Sequence, residues 1–117
     1  MRDFRDLQIW KRSIFFAGSI YRITSAFPAK ERFALAVQMN KAAVSIPSNI
    51  AEGCGRRTKP DLIQFLHIAV GSSFELETQI EICFLNNYID IDIYNSLIQE
   101  IQELQKMING FIKHHSE

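Results

Sequence analysis

Apolar residues recur along this chain at intervals of three and four, the spacing that lines one face of an α-helix, and no stretch alternates apolar with polar as a half-buried strand would. Four helices are predicted. The first runs from Asp6, a suitable N-cap, to about Phe27, where Pro28 blocks continuation. Leu7, Trp10, Ile14, Ala17 and Tyr21 form one stripe on it, and Ile9, Phe16, Ile20, Ile23 and Phe27 form a second. At about 100° per residue the two stripes lie roughly 160° apart, so this helix needs two things to bury it.

The second helix starts near Lys30 and also carries two stripes: Leu35, Met39, Ala42 and Ile46 on one side, Phe33, Val37 and Val44 on the other. Pro47 has no N–H for the carbonyl of Ala43 and crowds it, so the helix is expected to be kinked or broken there. Ser45, Asn49 and Glu52, spaced four then three, line one side of that segment. Ser45 and Asn49 are expected to satisfy backbone groups released by Pro47, before Gly53 and Gly55 end the helix.

The third helix opens at Thr58-Lys59-Pro60-Asp61, with Thr58 as cap, and reaches about Asn86. Its stripe is Leu62, Leu66, Ala69, Ser73, Leu76, Ile80 and Cys83. Gly71-Ser72-Ser73 in mid-helix costs helix propensity, which suggests close approach of a neighbouring backbone, with Gly18 as a counterpart. Asp90 caps the fourth helix, where Tyr94, Leu97, Ile101, Leu104, Ile108 and Phe111 face inward and Gln99, Gln102, Glu103, Lys106 and Lys113 face water. Four such helices on short links give an all-α, antiparallel up-down four-helix bundle, one domain over residues 1–117. A bundle core needs one stripe per helix. The surplus on the first two helices, Ile9, Phe16, Ile20, Ile23, Phe33, Val37 and Val44, is therefore expected at a subunit interface.

Composition narrows the class. With 47% hydrophobic and 22% charged residues the chain is that of a folded globular protein. No apolar run approaches the roughly 20 residues of a membrane span, and the charged N-terminus is not a secretory signal. Two cysteines, Cys54 and Cys83, are too few for a disulfide scaffold and too far apart for a CxxC motif; the expectation is reduced thiols in a cytoplasmic protein. The net charge of zero hides an asymmetry: residues 1–59 hold 11 Lys/Arg against 4 Asp/Glu, and residues 60–117 hold 2 against 9. Such halves can pair within the chain, pair with further copies, leave a basic face for a polyanion, or remain solvated.

Catalytic constellations are missing from the sequence. It has no HExxH, Walker loop or nucleophile elbow, and no Glu is followed three residues later by His as in di-metal bundles. No catalytic residue, cofactor or metal site is expected. His67 reads as a polar flank, His114 and His115 as a fraying tail, and Glu77 and Glu81 as a solvated or salt-bridging face. Arg56, Arg57 and Lys59 cluster at the start of the third helix, where unpaired N–H groups favour an anion or a nucleic-acid phosphate. The competing reading, which the spacing favours, pairs Arg56 with Glu52 four residues earlier. Trp10 and the phenylalanines read as core rather than as base-stacking platforms.

Several segments together carry a resemblance: Phe4-Arg5-Asp6-Leu7-Gln8-Ile9-Trp10, Phe27-Pro28, Glu31-Arg32, Ala42 through Gly53 with its SIPSNIAEG run, Gly55-Arg56-Arg57, and Gly71-Ser72 leading to Glu75-Leu76-Glu77-Thr78-Gln79. Over nearly its whole length the chain resembles the small four-helix-bundle proteins encoded in intervening sequences of bacterial large-subunit ribosomal RNA genes. The resemblance implies the fold more firmly than an activity. A related branch, the accessory proteins of diversity-generating retroelements, implies a five-subunit ring that associates with a reverse transcriptase and with nucleic acid. Those proteins are strongly basic, whereas this chain is neutral. The expected function is thus a non-enzymatic, cyclic homo-oligomeric scaffold or binding module, with five subunits preferred from the resemblance. The alternative is RNA or single-stranded DNA binding through the basic N-terminal half. Partners are further copies, then nucleic acid or a nucleic-acid-processing protein, and no membrane.

Overall fold

A computed structural model describes residues 3–116. Its helices are α1 (Gln8–Thr24), α2 (Leu35–Cys54), α3 (Lys59–Leu85) and α4 (Ile91–Ser116), with short 3-10 turns at Phe4–Asp6 and Ala29–Glu31. They pack in sequence, α1 on α2, α2 on α3, α3 on α4, and α4 closes back on α1. This is an all-α up-down four-helix bundle. The longest helix, at about 1.5 Å per residue, accounts for most of the 44 Å long axis.

Local chemistry sets the ends. Thr58 accepts from the Asp61 N–H, and Asp90 accepts from the Ile93 N–H, so α3 and α4 are capped as their sequences suggest. Asp6, expected as the cap of α1, instead lies in the preceding 3-10 turn, whose cap is Asp3 accepting from the Arg5 N–H. α3 ends on Asn87 at φ 61°, with the Tyr88 N–H donating to the Cys83 carbonyl and the Asn87 N–H to that of Phe84. That is a Schellman arrangement, with asparagine taking the left-handed position. Helix α2 begins at Leu35, not near Lys30. The chain from Ala29 to Ala34 is spent on a 3-10 turn and an irregular Ala34, which leaves Phe33 outside the helix.

Pro47 does not break α2, which stays helical from Leu35 to Cys54. Of the two outcomes expected there, a break is excluded. The close approach expected of Gly71 and Gly18 is also absent. A Cβ on Gly71 would meet nothing within 4 Å, and one on Gly18 would meet only the Arg22 side chain. The tight crossing is at Gly53, where a Cβ would stand 2.9 Å from Phe65 Cβ and 3.2 Å from the Leu62 carbonyl oxygen.

One hydrophobic core runs through all four helices, with Ile20, Met39, Leu66, Ile80 and Ile101 fully buried within it. Cys83 is buried there too, its thiol 3.3 Å from the Met39 sulfur. Burial, assisted by the nearby Glu31 carboxylate, pushes the Cys83 thiol up from 9.0 to about 11. Burial and a hydrogen bond to Glu31 raise the Tyr88 hydroxyl as well. A thiol held neutral in the fold costs nothing below pH 9. As pH rises from about 9 to 11 the unfolded chain ionises first, and stability falls by on the order of 2 kcal/mol. Denaturation midpoints measured across this window should drop, and Cys83→Ala should flatten the drop below pH 10. An unchanged slope in that variant would assign the loss to other groups.

Candidate interaction surfaces

The stripe of α1 expected at an interface belongs to the chain's own core. Ile9, Phe16 and Ile20 are buried, and Ile23 is half-buried against the same cluster. The reason lies in two hydroxyls. Ser13 and Thr24 sit on the same face, where Ser13 donates to the Trp10 carbonyl, and Thr24 donates to the Tyr21 carbonyl and bonds the Asn40 side chain. Each polar group is satisfied locally, so the buried stripe is continuous even though its sequence is interrupted.

Of the other stripe, Ile14 and Tyr21 stand in solvent, as does Phe15, which belongs to neither stripe, while Leu7 and Ala17 are buried. Trp10 is partly buried, edge-on to Phe4 at 5.2 Å. From α2, Val37 and Val44 are exposed, and Phe33 is 87% exposed. Tyr21, Val37, Asn40, Lys41 and Val44 together line a groove of about 410 Å³ between α1 and α2. A second exposed apolar set lies on α3, comprising Ile68, Phe74, Ile82 and Leu85, the last 82% exposed. Sequence reasoning missed it because attention to one core stripe hid a weaker second one on the opposite face.

The segment around Pro47 is internally satisfied. Asn49 Nδ2 donates to the Ser45 carbonyl at 2.8 Å and to Ser45 Oγ at 3.0 Å, and Ser45 Oγ bonds Ser72 Oγ of α3 at 2.8 Å. The carbonyl that Asn49 serves is that of Ser45, not the Ala43 carbonyl that Pro47 leaves without a donor. Glu52 takes no part in this cluster. Its carboxylate accepts from Arg56 at 3.2 Å.

The basic cluster divides in two. Arg56 is held by Glu52 and lies over the Phe65 ring, 4.6 Å from its centroid. Arg57 and Lys59 have no acceptor among the described residues; with Arg56, Thr58 and His115 they line a pocket of about 220 Å³ at the junction of α2 and α3. Lys59 and His115 also border a larger groove of about 550 Å³, floored by Pro60 and Ile63 with His67 beside them. His115 itself stacks on Phe111 and bonds its carbonyl through Nδ1. Glu77 accepts from Gln102 and Gln105, and Glu81 accepts from the Tyr94 hydroxyl, which that bond raises above its ordinary pKa. Among the described residues no group of three or more His, Cys, Asp or Glu side chains could hold a metal ion, and no described helix is long and apolar enough to cross a membrane.

With this geometry in view, the family model of the 23S rRNA-intervening sequence protein matches residues 5–110. The chain belongs to the 23S rRNA-intervening sequence protein family. The match spans all of α1, α2 and α3 and most of α4, so it covers both exposed apolar sets and the basic cluster. Among solved structures, this member of the intervening-sequence family is similar to a protein of unknown function from the S23 ribosomal protein family of Bacteroides thetaiotaomicron. The two chains share 25% identity with a TM-score of 0.84, over 90% of this chain and 95% of the other. No curated protein matches the chain. The branch of retroelement accessory proteins is named by none of these likenesses.

Proposed function

We propose that this member of the 23S rRNA-intervening sequence protein family is a non-enzymatic, homo-oligomeric scaffold or binding module, with a five-subunit ring as the preferred form. The observation that supports this reading is the number of large apolar side chains left in solvent by a core that is already complete. Phe33, Phe74 and Leu85 are more than half exposed, and Tyr21, Val37 and Val44 line an open groove. Exposed apolar side chains that share a groove, as Tyr21, Val37 and Val44 do, are a feature of interaction sites. Folding coupled to assembly makes stability depend on protein concentration. The melting temperature should rise with concentration, and a melting temperature independent of concentration would remove this reading.

A second reading, RNA or single-stranded DNA binding, is favoured by Arg57 and Lys59, which lack acceptors among the described residues and lie beside the first turn of α3. Its test is salt dependence. Binding should weaken steeply with salt, and Arg57→Ala/Lys59→Ala should lower the slope by about two units of counterion release. Wild-type protein that shows no salt-dependent binding would exclude it.

A further inference from the structure

The ion pairs that join helices among the described residues all come from one side chain, Arg12, which reaches Glu100 at 3.0 Å and Glu103 at 4.0 Å on α4. Lys41 of α2 and Glu75 of α3 make none, although both line one cleft of about 330 Å³ between these helices, together with Gln38, Ala42 and Ser45. Opposite charges thus border the same cavity without pairing across it. Lys41 has no acceptor among the described residues, and Glu75 accepts only from Gln79 Nε2, at 3.5 Å.

Two further groups beside the cleft keep hydrogen-bonding capacity unused. Ser45 Oγ accepts from Asn49 Nδ2 and bonds Ser72 Oγ. Whichever hydroxyl donates in that bond, the proton of the other has no acceptor among the described residues. Gln79 is 6% exposed, and its Oε1 has no hydrogen-bond partner among the described residues. Turning the amide over would set that oxygen against the Glu75 carboxylate, so the orphan is the acceptor. An unpaired buried acceptor is costly in a native fold and calls for a donor. Gln79 lies one turn on from Glu75 on the same face of α3, and about two turns on from Ser72, as Gln38 lies about two turns back from Ser45 on α2. The α2 side of the cleft therefore offers donors, Lys41 and the serine pair, and the α3 side offers acceptors, Glu75 with Gln79 behind it. We propose that this cleft binds a free α-amino acid, its carboxylate on Lys41 and the serine hydroxyl, its ammonium on Glu75 and Gln79 Oε1. A simple anion would face Glu75 and a simple cation would face Lys41, so a ligand carrying both charges is the one that satisfies all four groups. The volume lies at the small end of ligand pockets, which span about 300–1,000 Å³. Every recognising group belongs to one chain, so binding needs no second copy.

L-Alanine and its two halves test this in the full chain, propionate keeping the carboxylate and ethylamine the ammonium. Backbone amide resonances of residues 38–45 and 72–79 should shift and saturate with L-alanine, at a dissociation constant of about 1 mM or below. Propionate and ethylamine should each bind at least about 10-fold more weakly, having lost one charge-assisted contact. Lys41→Met and Glu75→Gln replace exposed side chains, so helical circular dichroism should be unchanged. Each should weaken L-alanine binding at least about 10-fold. Lys41→Met should erase the preference over ethylamine while keeping that over propionate, and Glu75→Gln should do the reverse. Gln79→Met, which removes the orphan acceptor at similar shape, should weaken binding without lowering the melting temperature. No saturable shift in the millimolar range, propionate or ethylamine binding as tightly as L-alanine, or a Lys41→Met or Glu75→Gln variant binding like wild type would each overturn the assignment. A lower melting temperature in Gln79→Met would contradict it too, since the carbonyl would then already have a partner in the folded chain.

Discussion

Ile20→Ala should destabilise the protein by about 2–5 kcal/mol, whereas Ile14→Ala should cost a few tenths and show its effect on association instead. Ile20 is fully buried between α1 and its neighbours, so truncation removes three carbons and leaves a cavity that a packed bundle closes only in part. Ile14 is 46% exposed on the opposite side. Chemical denaturation of the two variants at equal concentration reads the contrast directly. Equal losses would mean that the buried and exposed faces of α1 have been assigned the wrong way round.

Gly53→Ala is expected to cost about 1–3 kcal/mol, although alanine is the better helix former by about 1 kcal/mol. The added methyl would lie 2.9 Å from Phe65 Cβ and 3.2 Å from a backbone oxygen, atoms that cannot swing aside, so α2 and α3 must separate. Gly110→Ala is the control. Its methyl meets nothing within 4 Å on the outer side of α4, and stability should rise by about 1 kcal/mol. If both substitutions stabilise, the crossing of α2 on α3 is looser than described.

These two positions also show how far the sequence could be read. The helix count, the caps Thr58 and Asp90, and the inward face of α4 all follow from spacing and side-chain chemistry acting within a few residues. Gly53 was legible only as a helix stop and Gly71 only as a contact. Helix α2 does stop there, at Cys54 with Gly55 as C-cap, but the close contact is at Gly53 and not at Gly71, because which glycine meets a neighbour depends on how helices cross. For α1 the error has a specific cause: Ser13 and Thr24 look polar in sequence but are buried with their hydroxyls bonded to backbone carbonyls. Discounting them made the core stripe seem the surplus one.

Of the candidate sites, the Glu52–Arg56 pair could be anticipated because it is local. That Arg57 and Lys59 share a pocket with His115, from the far end of the chain, could not. Nor could spacing alone reveal that the charges of α1 and α3 find so few partners inside the bundle, since that depends on which helices become neighbours.

The central claim is that the exposed apolar faces of this family member are contacts between copies. Sedimentation equilibrium of the wild-type chain at micromolar concentration tests it most directly. The account predicts a mass that is a whole multiple of 13.5 kDa and that falls toward the single-chain value on dilution or in a Phe74→Lys/Leu85→Lys variant. A mass of 13.5 kDa for wild type at every concentration would contradict it.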